Sequence, residues 1–501
     1  MLKKRLTKKS HLALWCCVAG LLQPLPVLAL DINWYRSDDP LKIQALTPPA
    51  IPDGYLDGNA CTTSPTNNAL TLADVAEAAL CNNPQTREAY ANARVQAAQV
   101  GVAKSAYLPT VNDNISGNIN WVNPEQSRNN PAGNLSNSLV ASYLLYDFGN
   151  RDANLENARQ LLQAASATQS SVVQNVLLNA TQAYYQVQAG IAALEASVES
   201  ERASEESYKA AEARYKAGVS TPADKLQAQT LYAQNTLMRI TTEGTLKNAY
   251  GTLANIMGLA ANQALQLAPS SPNQALNNID QDIGNLIEQA RQRRPDLVAS
   301  EAQLKASLAS IEASRAASKP TISVAVSNNS QDGSNLSFNN SAALGVTVSI
   351  PLFSGFGPTY RIKSAEANAD ARAAQRDQLR LQISLDVWRA YQNLRTANET
   401  IRASTVLFSS AEESSRVALG RYKAGVGNII DTLNAQSALA SARQQQIQAH
   451  LNANIARATL AQAMGGLDNA MIQSLPDSGG SIENSSSQNS NAQTNASGNQ
   501  P

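Results

Sequence analysis

Two periodicities alternate along this chain, and each change from one to the other marks an element. Over residues 111–121 the odd positions are Val111, Asp113, Ile115, Gly117, Ile119 and Trp121, while every even position is Asn or Ser. Apart from Asp113 this is strict period-two alternation, which predicts a strand with one apolar and one polar face. Beyond an Asn/Pro/Gly-rich stretch, Leu135, Leu139, Ala141, Tyr143 and Leu145 again hold odd positions, with Ser136, Ser138 and Ser142 between them. The two segments predict a hairpin over about 110–146. Ile322, Val324 and Val326, then Leu344, Val346, Val348 and Ile350, repeat the design around a polar stretch, which predicts a second hairpin over about 320–352.

Elsewhere the period lengthens. Residues 151–217 hold no proline and a single glycine, Gly190, and these 67 positions form one predicted helix. At helical rise it would be about 100 Å long. Val173, Leu177, Ala180, Tyr184, Val187, Ile191, Leu194 and Val198 recur in steps of four and three, the spacing that seats one helix on another. A second long helix is predicted over about 361–424, where Val387, Tyr391, Leu394 and Ile401 keep the stripe and Asn398 breaks it. Shorter helices follow each, over about 222–257 and 429–465.

The recurrence is a tandem duplication. Arg214-Tyr215-Lys216-Ala217-Gly218-Val219 returns unchanged as Arg421-Tyr422-Lys423-Ala424-Gly425-Val426, a shift of 207. The same shift relates Leu145-Tyr146 to Leu352-Phe353, Ala183-Tyr184 to Ala390-Tyr391, Met257-Gly258 to Met464-Gly465 and Asp224 to Asp431. Further upstream, Pro84 matches Pro295 and Pro109-Thr110 matches Pro320-Thr321, at a shift of 211. The repeats run over about 81–267 and 291–467 and are too long for ordinary solenoid units.

Four strands of membrane-spanning length cannot close a barrel, and an open edge is not tolerated in lipid, so a membrane reading requires several chains to share one barrel. The alternative is a pair of soluble hairpins packed on helices. For the helices, a closed tube competes with a plain intramolecular coiled coil, and the hairpins favour the tube: a helix that continues a membrane strand must leave the bilayer alongside its neighbours.

Charge and cysteine content narrow the class. Residues 1–29 carry Lys3, Lys4, Arg5, Lys8 and Lys9, then an apolar run, then Val27-Leu28-Ala29, the pattern of a cleaved secretory signal. An uncleaved anchor is the alternative, but the apolar run is about half of the ~20 residues that span a bilayer. Neither Cys16 nor Cys17 follows a small residue, so lipidation is not expected. Loss of the signal takes five Lys/Arg from 39 and no acid from 39, leaving a formal charge of −5 and nothing basic to suggest nucleic acid. Cys61 and Cys81 then form the one possible intramolecular pair, with two buried free thiols as the alternative.

Each repeated hexapeptide ends a long helix at a glycine, Gly218 or Gly425, suited to a left-handed cap. Thr221-Pro222-Ala223-Asp224 and Asn428-Ile429-Ile430-Asp431 then restart a helix with a capping residue and an acid three positions on. Asp224 and Asp431 are therefore expected as cap residues. If the helices form a tube, one acid per chain at its narrow end would also make a ring that favours cations.

Jointly, these features resemble the TolC family of outer-membrane factors over residues 70–467. The resemblance is carried by the helix from Pro84 toward Pro109, by Leu145-Tyr146-Asp147-Phe148-Gly149 and Leu352-Phe353-Ser354-Gly355, and by the two hexapeptide turns. It implies an α+β membrane protein and a homotrimer, with four strands per protomer in a shared 12-stranded transmembrane barrel continued by a long periplasmic α-helical barrel. It implies an equatorial belt built partly from chain ends, a periplasmic adaptor, an inner-membrane ABC or proton-driven pump that supplies the energy, and no cofactor. Residues 30–80 would be a periplasmic extension, 268–290 a linker and the start of the second repeat, and 468–501 a disordered Ser/Asn/Gln-rich tail.

By that resemblance the second tip forms the entrance, which brings together Tyr422, Gly427, Asp431 and Asn434, with Asp224 from the first tip. Family members often carry a second acid at the position of Asn434, and some carry an arginine at the position of Gly427 that ties neighbouring chains shut. Arg214, Gly218, Arg421 and Gly425 become the adaptor-docking positions. An enzyme is disfavoured: after loss of the signal the one histidine is His450, with no ligand spacing near it. A structural trimeric coiled coil without a pore is the other competing class. The exported substrate, polypeptide or small molecule, is left open.

Overall fold

The structure is a computed structural model that describes residues 38–55, 61, 69–120, 132–269, 282–334 and 336–475. The expected signal peptide lies outside the described residues. The chain divides into two units at residues 46 and 47. In the first, the Asp39 carboxylate accepts from the amides of Ile43 and Gln44 at 2.7 Å, ahead of a single turn at Gln44–Leu46.

The second unit holds every repeated element in duplicate. The first half runs α1 (Leu72–Asn82), α2 (Pro84–Ser105), β1 (Thr110–Asn120), β2 (Ala132–Tyr146), α3 (Asn150–Lys216) and α4 (Pro222–Ile256). The second runs α5 (Ile283–Arg293), α6 (Pro295–Ala316), β3 (Thr321–Gly333), β4 (Leu336–Ser349), α7 (Gly357–Lys423) and α8 (Ile429–Ala463), and α9 (Asn469–Ser474) follows. Corresponding helices have equal lengths: 11, 22, 67 and 35 residues in each half. Local chemistry sets the starts. Thr71 and Asp74 cap α1 reciprocally, and Pro84, Pro295 and Pro358 stand in first turns, where a missing N–H costs nothing.

All four strands pair antiparallel in the order β1–β2–β3–β4. Thr110 faces Ser142 in the first hairpin and Thr321 faces Ser349 in the second, which are equivalent pairs under the two shifts. The β2–β3 pairing joins the halves and sets Ala141 opposite Val326. Val111, Ala141, Val326 and Leu344 consequently form one row across the sheet, on a face where Val111 is 66% and Leu344 74% exposed. The other face is polar, with hydroxyl contacts between Thr110 and Ser142 at 2.8 Å and between Ser116 and Ser136 at 2.7 Å. Within the chain, β1 and β4 each keep one unpaired edge. No described helix is long and apolar enough to cross a membrane.

Each sheet-to-helix passage uses two consecutive left-handed residues, Phe148-Gly149 and Gly355-Phe356. In the first half a buried clamp reinforces the passage. Asp147 accepts from the Arg151 amide at 2.9 Å and from its Nε at 3.1 Å, while Arg151 Nη1 donates to the Leu144 carbonyl at 2.9 Å. The equivalent positions are Ser354 and Pro358, so the second half has no such clamp.

The principal core surrounds the middle of α3. Val173, Leu177, Ala180, Tyr184 and Val187 pack there against Leu72, Leu80, Leu253, Met257, Leu467, Ile472 and Leu475. The predicted stripe is buried over this stretch and runs out at Val198, which is 47% exposed. The segment ahead of the repeats and the end of the second repeat are tied to the same level: Gln169 Nε2 donates to the carbonyls of Pro49 and Ala50 at 2.9 Å, and Gln174 Nε2 donates to Tyr55 Oη at 2.9 Å and to the Gly465 carbonyl at 3.0 Å. A disulfide joins Cys61 to Cys81 at the end of α1.

Two boundaries move. Helices α1 and α5 are related by the shift of 211, so the first repeat begins upstream of 81, as the second does within 268–290. The first residues of the tail expected to be disordered from 468 are ordered instead, because Asn469–Ser474 is helical and Ile472 and Leu475 are buried against the core; residues 476–501 lie outside the described residues.

Candidate functional site

At the far ends of α3 and α7 the repeated hexapeptide folds the same way twice. Val219 donates to the Arg214 carbonyl and Val426 to the Arg421 carbonyl, both at 3.0 Å, while Gly218 and Gly425 take φ of 74° and 79°. These are glycine-terminated helix ends whose last carbonyls are closed by amides just beyond the turn.

The restarts differ. At the first tip Thr221 Oγ1 accepts from the Asp224 amide at 3.2 Å and the Asp224 carboxylate accepts from the Thr221 amide at 3.1 Å, so Asp224 is occupied as half of a capping box. At the second tip Asn428 caps α8 by itself, accepting from the Ile430 amide at 3.1 Å. Asp431 is exposed, and its carboxylate has no hydrogen bond or ion pair among the described residues. Asn434, three positions on, is exposed on the same face. Two acids with the same sequence setting thus have different surroundings.

Gly427 is held by close approach rather than by an unusual φ. A Cβ there would stand 2.9 Å from the Tyr422 nitrogen and 3.0 Å from the Arg421 carbonyl carbon. Backbone cannot yield as a side-chain tip can, so the turn has no room for an arginine at this position.

Tyr422 belongs to a small core that ties the two tips of one chain together. It is 6% exposed and packs with Ala211, Ala228, Ile429 and Leu433, while Tyr208 and Leu231 lie against the cluster. The Arg214 guanidinium lies 4.2 Å from the centre of the Tyr422 ring, and its Nη2 donates to the Tyr422 carbonyl at 2.8 Å. Arg214, read from sequence as a docking position, therefore holds the second tip from the first. Arg421 is exposed.

Sequence reasoning missed the contact of Gln436 Nε2 with Ser207 Oγ at 2.9 Å and the buried Thr432 hydroxyl on the Ala418 carbonyl. A polar pair 229 residues apart leaves no periodic trace, although both members lie on helices that meet at the predicted tips, about two to three turns away. Glu212 is held by Lys225 at 3.1 Å and Lys216 at 3.3 Å, which lower its pKa.

His450, further along α8, keeps solvent on one side. Desolvation of the other side, and then the Arg457 charge, lower its pKa. Among the described residues no group of three or more His, Cys, Asp or Glu is placed to hold a metal.

Comparison with known proteins places this geometry. The family profile of "Outer membrane efflux protein" matches residues 75–259 and 286–466. Protein CyaE of Bordetella pertussis is 30% identical over 81% of this chain and 86% of its own length. Outer membrane protein OprJ of Pseudomonas aeruginosa is 26% identical over 79% of this chain and 84% of its own. Among solved structures, CusC superposes with a TM-score of 0.71 at 22% identity, covering 83% of this chain and 99% of that one.

Proposed function

The chain belongs to the outer membrane efflux protein family, whose members are outer-membrane exit channels for tripartite export, and from that premise we propose how this chain builds its duct and entrance. The fold class is that of the family's homotrimeric channels, with a shared strand barrel continued by long periplasmic helices. Three copies supply twelve strands, and closure pairs the β1 and β4 edges that a single copy leaves open. The tips then surround the periplasmic mouth, where a periplasmic adaptor docks and connects to an inner-membrane pump. Val219 and Val426, 73% and 70% exposed, offer that adaptor the same apolar contact at both tips. The pump selects what passes, polypeptide or small molecule.

The observation that carries the entrance assignment is the free carboxylate of Asp431 beside a self-sufficient Asn428 cap. Three such groups around a narrow opening attract cations and hold back anions. With Asn434 in place of a second acid, the ring is single and its hold on multivalent cations correspondingly weaker. In planar lipid bilayers, Asp431→Ala is expected to relieve block by multivalent cations and to change single-channel conductance by weakening the preference for cations over anions. Asp224→Ala is expected to leave block unchanged and to cost stability through the lost cap. Identical conductance and block in Asp431→Ala and the parent channel would remove Asp431 from the entrance.

A further inference from the structure

The two halves meet at one seam within the chain, and the shift that relates them locates a second seam between copies. On the first seam Arg214 lies on Tyr422, Ser207 bonds Gln436, and Leu433 is packed in the tip core at 8% exposure. A shift of 207 carries Arg214 and Ser207 forward to Arg421 and Ser414, and carries Tyr422, Gln436 and Leu433 back to Tyr215, Gln229 and Leu226. Residue type is retained at all five positions.

Within one chain these five images stay apart. Tyr215 is 41% exposed where Tyr422 is 6%, and Leu226 is 59% exposed where Leu433 is 8%. Arg421, Ser414 and Gln229 are exposed, and the Arg421 guanidinium has no hydrogen bond or ion pair among the described residues.

We propose that the seam between copies repeats the seam between halves: Arg421 stacks on Tyr215 of the partner subunit, Ser414 bonds Gln229 of the partner subunit, and Leu226 of the partner subunit fills the place that Leu433 takes within the chain. This rests on the reading that three copies share one barrel. The contact joins two different surfaces, so copies add head to tail, and the ring closes when the rotation does. Six Arg–Tyr brackets then alternate around the mouth, three within chains and three between them. Closure of the tips needs no arginine at position 427, where the turn leaves no space for one.

The sheet supplies an independent check. Within the chain, Ala141 of β2 faces Val326 of β3, and Asn137 faces Ser330. Shifting the β2 members by 207 and returning the β3 members by 211 sets Val348 opposite Ile115 of the partner subunit and Leu344 opposite Ile119 of the partner subunit. Apolar meets apolar on the exposed face. A register displaced by one residue would set the same side chains against Asn or Ser.

The test is chemical cross-linking of the full-length protein purified in detergent. Cys61 and Cys81 are joined, and with Cys16 and Cys17 replaced by serine the introduced thiols are the reactive ones. A short bis-maleimide applied to Tyr215→Cys/Arg421→Cys is expected to give covalent dimer and trimer on a reducing gel, with neither single variant doing so. The control Arg214→Cys/Tyr422→Cys is expected to cross-link within the chain and run as monomer. Because that control removes a core tyrosine, a photoreactive benzoylphenylalanine at Tyr215 provides a second measurement. In trimers assembled from heavy- and light-isotope copies, its product is expected to join the Tyr215 peptide to the Arg421 peptide of the other isotope. Native mass spectrometry separates the failures. A trimer whose cross-links are absent, stay within chains or reach other peptides overturns the seam and leaves the trimer standing; a monomer overturns both.

Discussion

Asp224 and Asp431 show how far a residue's role depends on its neighbour's choice of partner. Both follow a capping residue by three positions, and by sequence they are the same residue twice. The difference lies in where the cap bonds: Thr221 reaches the Asp224 amide, whereas Asn428 reaches Ile430 and leaves Asp431 unengaged. Gly427 was legible as a departure from the family pattern, but its cause, backbone contact with Tyr422, was not. Gly427→Arg is therefore expected to destabilise the second tip by about 1–3 kcal/mol, the usual range for overpacking, instead of restoring an inter-chain lock. Thermal unfolding together with single-channel recording distinguishes the two, since a restored lock would lower conductance without lowering Tm. His450 gives a residue-scale pH effect. Its folded pKa is depressed below the unfolded value of about 6.5, so between those values the unfolded chain binds more protons. Stability is then unaffected well above that value and falls as the pH drops through about 6.5 toward the folded pKa. His450→Gln is expected to flatten this part of a Tm-against-pH profile, and an unchanged slope would assign the effect to other groups.

At the scale of elements, the long helices and hairpins were legible because each obeys one period over many residues. Absence of proline across 67 positions and strict alternation from Val111 leave few other readings. The short helices were harder. Helix α1 buries Leu72, Val75, Ala76, Ala79 and Leu80, yet its counterpart α5 buries only Leu286 and Ala290, so the repeat fades where the two helices meet different surroundings. In α9 the capping Asp468, which accepts from the Met471 amide at 2.9 Å, sits at the edge of Ser- and Asn-rich sequence that hides Ile472 and Leu475. The Cys61–Cys81 bond ties Cys61 to the end of α1 across a separation of 20 residues. A loop of that size is expected to contribute about 3 kcal/mol. Cys61→Ser/Cys81→Ser should lower Tm accordingly while helical circular dichroism stays near the parent value; an unchanged Tm would show that the packing of α1 on α3 suffices.

Across the whole molecule, the sequence contains the need for further copies but not their positions. Four strands with one apolar face announce an incomplete barrel, and the register then shows that the two unpaired edges belong to different halves. The inter-copy contacts became readable only once the intra-chain ones were known, because Tyr215 and Tyr422 are indistinguishable until one is buried and the other is not. The matched helix lengths carry a further consequence. A single inserted residue in α3 would swing everything beyond it by about 100°, and α4, running back alongside, could not follow. The 67- and 35-residue lengths therefore act as a ruler fixing how far the mouth stands from the bilayer, one that evolution can lengthen only in steps near seven residues, about 10 Å, made in descending and returning helices of both halves together.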